Sequence, residues 1–173
     1  IGGALITLLN NSDRVKCACL AQLVNIIGPI MTEQGGPAWR QTIFHPFALT
    51  AKYAKGRVLR TLATSGSFAG KTAEEMPYLI SAVTEDESTG EVVIFALNRN
   101  LAEPMDLKVE LRGFGGTREV TEALQVSHPN MKAVNTKDAP NTVAPAPIKS
   151  VSIDKDTLTA KLVPGSWNVI VTK

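Results

Sequence analysis

The fold is decided by the stretch Val92-Val93-Ile94-Phe95-Ala96-Leu97, an unbroken apolar run in the middle of the chain. A short run rich in β-branched and aromatic residues and bounded by turn residues is typical of a strand. Because every position is apolar, and not every second one, we predict a central strand buried on both faces. The polar segment Glu-Asp-Glu-Ser-Thr-Gly at 85–90 predicts a hairpin turn that joins this run to a strand at 79–83.

Further strands are predicted on the C-terminal side of this run. Leu107, Val109 and Leu111 alternate with charged residues, which predicts a strand with one face in water. About seven short strands with frequent turns indicate an antiparallel β-sandwich. The remaining predicted elements are strands at 120–126, 148–153, 158–162 and 167–171, and a long loop rich in Asn, Pro, Ala and Thr at 130–147.

The start of the chain has a helical pattern instead. Three leucines between residues 5 and 9 predict a first helix. Val15, Cys19 and Leu23 recur every four residues, which predicts a buried stripe on a second helix over about 13–25. An apolar strand is predicted at 30–32, a loop at 34–37 and a third helix at 42–55.

This order of elements indicates a second structural unit. Gly56 is predicted to end the third helix, and the composition changes to β beyond it. A helix, a strand, a loop and a helix make up one fragment of a β/α architecture, which cannot bury its strand alone. The sequence therefore predicts two units, residues 1–56 and residues 57–173.

The charge balance and the length exclude several classes of protein. Lys and Arg number 18, Asp and Glu number 16, and the net charge is +2 with 44% apolar residues. A disordered tail is excluded, because it needs low apolar content and high net charge. So small a charge gives almost no attraction for nucleic acid. A complete (β/α)8 barrel takes about 250 residues, and this chain has 173.

The two cysteines, Cys17 and Cys19, are too close in sequence for an ordinary disulfide. We expect two buried thiols in a reducing compartment, which predicts a cytoplasmic protein. His45 and His128 are far from this pair in sequence, so we expect no metal site and no cofactor.

No apolar run reaches the roughly 18 residues that a membrane helix needs, and the start of the chain lacks the basic region of a signal peptide. We therefore expect no membrane partner. The chain begins inside a predicted helix, from which we expect it to be a C-terminal piece of a longer protein.

Residues that could carry chemistry are densest at 31–47, between the predicted strand and the third helix. Trp39, Arg40 and Gln41 offer an aromatic face, a cation and an amide in a predicted loop. A sugar site combines apolar contact with a few placed polar groups, so these residues are candidates for one. The alternative is structural, with Trp39 closing a barrel and Arg40 paired with an upstream carboxylate.

Two other polar residues in this segment are interpreted as structural. Glu33 is the one carboxylate here, whereas glycoside hydrolysis needs two across the scissile bond. His45 stands just before Pro46 inside the predicted helix, which favours a packed histidine. We predict neither residue to be catalytic.

The same region closely resembles the family 51 glycoside hydrolases, the α-L-arabinofuranosidases. The resemblance is carried by Leu-Ala-Gln-Leu-Val-Asn-Ile-Ile-Gly-Pro-Ile-Met-Thr at 20–32 and Gly-Gly-Pro-Ala-Trp-Arg-Gln-Thr-Ile-Phe at 35–44. The stretch Ala-Leu-Asn-Arg-Asn at 96–100 and the loop at 135–143 are also similar to that family. The resemblance extends over essentially the whole chain.

This resemblance implies a catalytic (β/α)8 barrel followed by a C-terminal β-sandwich of jelly-roll type. The eighth barrel strand would lie at 27–32 and the last barrel helix at 42–55. The resemblance also implies a retaining hydrolase that releases terminal arabinofuranose from arabinan, arabinoxylan and arabino-oligosaccharides, with one Glu as acid/base and another as nucleophile.

The family motifs that contain those two glutamates do not occur in this sequence, so the resemblance implies no catalytic residue here. Gln41 matches the family's ligand for a sugar hydroxyl. Trp39 and Arg40 are candidates for the wall of the same pocket.

Three functions remain open from the sequence. The first is the C-terminal part of an arabinofuranosidase, with arabinofuranosyl saccharides, the rest of the barrel and further copies of itself as partners. The second is a non-catalytic carbohydrate-binding sandwich, although only 5% of the residues are aromatic and such modules usually display several. The third is a structural sandwich that braces the barrel.

Overall fold

The structure, a computed structural model, describes residues 1–71, 73–115 and 117–173. Its helices are α1 (Gly2–Asn10) and α2 (Phe44–Tyr53). In chain order, the strands of the described residues are β1 (Ile30–Thr32), β2 (Ala38–Arg40), β3 (Arg57–Leu59), β4 (Ser67–Phe68), β5 (Met76–Pro77), β6 (Leu79–Asp86), β7 (Glu91–Asn98), β8 (Met105–Glu110), β9 (Val120–Val126), β10 (Ala146–Pro147), β11 (Val151–Asp154), β12 (Thr157–Leu162) and β13 (Trp167–Thr172).

Two antiparallel sheets form the body of the molecule. A six-stranded sheet has the order β10-β9-β13-β7-β6-β3, and a three-stranded sheet has the order β11-β12-β8. The strand nearest the C-terminus, β13, lies between β9 and β7, so the largest sheet is joined through it. The predicted antiparallel β-sandwich is confirmed.

The strand β7 is buried on both faces, as its unbroken apolar run predicted. Val92, Ile94 and Ala96 belong to the core shared with the three-stranded sheet. Val93 and Phe95 belong to a second core on the opposite face. Successive side chains of a strand alternate between its faces, so a central strand with two dry faces must be apolar at each position.

The two helices cover the second face of the six-stranded sheet. Ile6 of α1 is buried in that second core, and Leu9, Leu49 and Tyr53 pack against it. The predicted first helix is therefore confirmed. The predicted third helix is confirmed over Phe44–Tyr53, although it ends before the predicted Lys55 and is capped by Ala54.

The second predicted helix, over about 13–25, is wrong. Residues 11–14 form a turn, and the following segment has no helix. Both Cys17 and Cys19 are exposed as free thiols, so their predicted burial is also wrong. The side chain of Leu23 is 71% exposed. A short helix is stabilised mainly by packing its apolar stripe, and in the described part of the chain only Val15 of that stripe is partly covered, while Cys19 and Leu23 are exposed.

The strand expected at 27–32 forms only from Ile30 to Thr32. It pairs antiparallel with β2 in a hairpin and has no parallel barrel strand beside it in the described part of the chain. A barrel strand needs parallel neighbours on both sides, and residues 1–56 supply only one isolated parallel bridge, between Val24 and Ile30. The expected barrel fragment is therefore not seen in this chain.

Gly56 and Gly90 offer a test of how tightly the helical segment joins the sheet. Both have left-handed backbone angles, with φ of 72° and 75°. A Cβ at Gly56 would overlap the Glu85 carbonyl oxygen and lie 2.8 Å from Asp86 Cα, whereas no described atom lies within 4 Å of one at Gly90.

We expect Gly56→Ala to lower the free energy of unfolding more than Gly90→Ala. The left-handed backbone costs each variant roughly 1–2 kcal/mol. The overlap in Gly56→Ala adds about 1–3 kcal/mol, because the backbone must shift. Urea denaturation followed by circular dichroism measures both, and equal losses would contradict the tight junction at Gly56.

Candidate functional site

The predicted site residues lie on a short hairpin. Met31 pairs with Trp39 and Ile30 with Arg40, and the backbone N–H of Glu33 donates to the Pro37 carbonyl at 3.2 Å across the turn. The predicted loop around Gly35 is thus confirmed as the turn of this hairpin. Trp39 and Arg40 were expected in a loop but lie in β2, because the turn closes early enough for them to pair.

The base of the hairpin is fixed by Asn25, which sequence reasoning missed. The Thr32 N–H donates to Asn25 Oδ1 at 2.7 Å, and Asn25 Nδ2 donates to Thr32 Oγ1 at 2.9 Å. The Asn25 N–H also donates to the Ile30 carbonyl at 2.7 Å. Asn25 has φ of 59°, a conformation that Asn tolerates better than most residues. The sequence feature that could have indicated this role is an Asn placed at the start of a turn.

Trp39 faces the sandwich. Its indole Nε1 donates to the Asn135 carbonyl at 3.2 Å, in the connection between β9 and β10. Because the indole has a single N–H, this bond uses its polar group. The contact agrees with the structural alternative for Trp39 and leaves only its ring to line a pocket.

Arg40 is exposed, and its guanidinium carbon lies 4.9 Å from the centre of the Phe44 ring. No carboxylate of the described residues lies within ion-pair distance of it, so the upstream carboxylate proposed as its partner is not in this part of the chain. A cation held over an aromatic face keeps its N–H donors available.

Gln41 follows the hairpin directly and is half-buried. Its side-chain Nε2 donates to the Gly28 carbonyl at 2.8 Å, and its backbone N–H donates to the Pro29 carbonyl at 2.8 Å. Among the described residues no hydrogen bond reaches Oε1. The amide is therefore fixed by one hydrogen while it keeps one acceptor and one further donor for a ligand.

The remaining polar groups of the hairpin do not form a catalytic pair. Glu33 is exposed, as expected, and its carboxylate lies 3.2 Å from Lys137 Nζ. A pair this exposed contributes about 0–1 kcal/mol. Nowhere in the described ranges do three His, Cys, Asp or Glu side chains come together as a metal site would need.

His45 is packed, as predicted, and is only 6% exposed. Burial lowers the pKa of its imidazole, and the nearby Arg40 charge lowers it further, while a hydrogen bond with the Val143 backbone opposes both. The ring is therefore kept neutral beside the hairpin.

Neither helix of the described residues combines the length and apolar character needed to cross a bilayer.

The chain matches a family of known proteins. The sequence model of the family described as the alpha-L-arabinofuranosidase C-terminal domain matches residues 1–166. An intracellular exo-alpha-(1->5)-L-arabinofuranosidase of Halalkalibacterium halodurans is 45% identical over 98% of this chain and 33% of its own length. An exo-alpha-(1->6)-L-arabinofuranosidase of Bifidobacterium longum is 42% identical over 99% of this chain and 33% of its own.

A solved structure shows the same likeness. A family 51 alpha-L-arabinofuranosidase from Bifidobacterium longum superposes with a TM-score of 0.93 at 35% identity, over 99% of this chain and 34% of that chain. The chain thus spans about a third of the length of the curated relatives it matches.

The lowered pKa of His45 predicts a pH dependence of stability. In the unfolded chain its pKa returns to about 6.5, so the unfolded state binds a proton that the folded state resists. The free energy of unfolding should therefore fall as the pH drops below 6.5 towards the folded pKa. Stability is retained above that window.

We expect His45→Gln to lose stability less steeply than the wild type between pH 7.5 and 5.5, as measured by urea denaturation. Gln34→Ala, in the exposed turn of the hairpin, changes no titratable group and is the control, which should keep the wild-type slope. Identical slopes for His45→Gln and the wild type would remove His45 as the cause.

Proposed function

Because the chain belongs to the family of α-L-arabinofuranosidase C-terminal domains, we propose that it is the C-terminal part of a retaining exo-acting α-L-arabinofuranosidase. Such an enzyme releases terminal arabinofuranosyl residues from arabinan, arabinoxylan and arabino-oligosaccharides. The observation that carries the proposal is the match over nearly the whole chain, in sequence and in fold, to enzymes of this one activity.

The reacting carboxylates would come from outside this chain. A retaining mechanism needs an acid/base and a nucleophile whose carboxyl groups are about 5–5.5 Å apart. At the hairpin, the described carboxylate is Glu33, and its neighbour is the cation of Lys137. The chain would therefore contribute groups that hold the sugar, without a catalytic residue of its own.

Gln41 would be the main sugar ligand. Its Oε1 can accept a hydroxyl proton and its remaining N–H can donate, while the bond to Gly28 fixes the direction of the amide. An amide that is already oriented loses little conformational entropy when the substrate binds. More of the free energy of its hydrogen bonds is therefore left to stabilise the transition state. The Trp39 ring and the Arg40 guanidinium would line the same pocket.

Residues 1–56 would complete the barrel, and residues 57–173 would form the sandwich beside it. The support is a run of apolar side chains in the first unit that this chain leaves in water: Leu23 at 71%, Val24 at 46%, Ile26 at 81% and Ile27 at 59% exposed. Contiguous exposed apolar residues of this kind mark a surface that a partner covers. The partner would be the rest of the barrel.

A free carbohydrate-binding module is less well supported. In the sandwich, Phe95 is fully buried and Trp167 is 4% exposed. Phe68 stacks on Tyr78 with ring centres 5.1 Å apart, and the Arg99 guanidinium covers Phe68. Since these rings pack against protein groups, the sandwich is better suited to bracing the barrel. We also propose a cytoplasmic location, in line with relatives named as intracellular, and, from the family resemblance alone, a homo-oligomer.

The role of Gln41 is tested by Gln41→Ala in the full-length protein. We expect kcat/KM on 4-nitrophenyl α-L-arabinofuranoside to fall at least about tenfold, because hydrogen bonds to sugar hydroxyls strengthen in the transition state. Gln34→Ala, in the exposed turn of the same hairpin, is the matched control and should keep wild-type kinetics. Wild-type kinetics for Gln41→Ala would remove the ligand role, and an inactive wild-type protein would remove the proposed function.

The barrel-facing surface is tested on the 173-residue chain alone. We expect it to self-associate and to bind a hydrophobic dye such as ANS. Removing each exposed large apolar side chain from water would lower the free energy by about 1.5–3 kcal/mol. The double variant Leu23→Ser, Ile26→Ser should reduce both effects, as followed by sedimentation velocity and dye fluorescence.

Leu62→Ser is the control for that experiment. Leu62 is 99% exposed but lies in the sandwich unit, outside the run at 23–27. It should leave association unchanged. A monomeric wild-type chain that binds no dye would contradict the barrel-facing surface.

A further inference from the structure

Asn135 is a buried polar residue in the long connection between β9 and β10. Its side chain is 7% exposed, and both ends of its amide are hydrogen-bonded. Nδ2 donates to the Arg40 carbonyl at 3.0 Å and to the Val143 carbonyl at 2.9 Å. Oδ1 accepts from the Val143 N–H at 2.7 Å. One side chain therefore ties the hairpin to both ends of a loop in the sandwich.

The bond to Arg40 acts directly on the next residue. The Arg40 carbonyl and the Gln41 N–H belong to one planar peptide group. Asn135 holds the carbonyl edge of that plane, and the Pro29 carbonyl holds the N–H edge at 2.8 Å. With both edges fixed, the direction in which the Gln41 side chain leaves the backbone is fixed as well.

A second contact holds the same stretch from the preceding residue. The Trp39 indole donates to the Asn135 backbone carbonyl. Asn135 thus meets two successive residues, Trp39 and Arg40, immediately before Gln41.

We infer that Asn135, from the sandwich, is a positioning residue that sets the Arg40–Gln41 peptide plane and thereby the sugar-binding amide of Gln41. The inference rests on the proposed function, because it assigns to the sandwich a part in substrate recognition. Asn135 need not touch the substrate, since it acts through Gln41.

Asn98 supplies a matched control. It is fully buried, its Nδ2 donates to the Glu103 and Val163 carbonyls, and its Oδ1 accepts from the Asn100 N–H at 2.9 Å. It therefore has the same chemistry and a similar number of bonds. All of its partners lie within 57–173, and none is in the hairpin.

The experiment compares Asn135→Ala with Asn98→Ala in the full-length protein. Both variants should lower the free energy of unfolding, because each leaves buried carbonyls without their donor. Below the unfolding transition, only Asn135→Ala should lower kcat/KM, by about 10- to 100-fold, as a displacement near 1 Å does. The loss should appear in kcat as well as in KM, because the bonds that Gln41 makes to the sugar strengthen in the transition state.

Hydrogen exchange followed by mass spectrometry gives a readout that does not depend on activity. Peptides covering 29–41 should exchange faster in Asn135→Ala and not in Asn98→Ala. If the wild-type protein has no arabinofuranosidase activity, the proposed function fails, and exchange alone decides the positioning role.

Asn135→Asp keeps the size of the side chain and is the second test of the inference, to be used if the alanine variant does not fold. Its carboxylate can still accept from Val143 but cannot donate to Arg40 until it is protonated. Its activity relative to wild type should therefore rise as the pH falls. Unchanged kcat/KM and exchange in both Asn135 variants, or an equal loss in Asn98→Ala, would overturn the inference.

Discussion

The six-stranded sheet has two apolar faces, and the rest of the structure follows from the need to keep both of them dry. Its central strands β7 and β13 are buried along their length. One face is covered by the three-stranded sheet and the other by α1 and α2. Each large apolar side chain left in water would cost about 1.5–3 kcal/mol, so neither cover is dispensable. The two helices therefore share the second of the two cores with the six-stranded sheet, although the helical and β segments differ in sequence character.

The same packing places the hairpin. Because α2 lies on the sheet, the strand that precedes it meets the long connection between β9 and β10. Polar groups in that contact are removed from water and must find partners. Asn135, Trp39 and the Arg40 carbonyl satisfy one another there. Gln41 is then held between the buried Gly28–Pro29 backbone on one side and the sandwich on the other.

Local patterns predicted the elements that bury residues close in sequence. The apolar run at 92–97 indicated burial on two faces, and the leucines near the start indicated α1. Periodicity failed at 13–25, because a stripe such as Val15, Cys19 and Leu23 specifies a helix only where another surface covers it. The burial of the cysteines failed for the same reason. The bond from Asn135 to Arg40 joins residues 95 apart, and no local pattern records such a contact. The sugar-binding role of Gln41 stays a prediction from the family resemblance.

The position of β13 has a consequence for how the largest sheet is assembled. The strands β6 and β7 pair directly with each other, whereas β9 is joined to β7 only through β13. Until β13 pairs with both, two partial sheets have open edges, a state that favours aggregation and recognition by chaperones. Detachment of Trp167–Thr172 alone would therefore divide the largest sheet into two pieces.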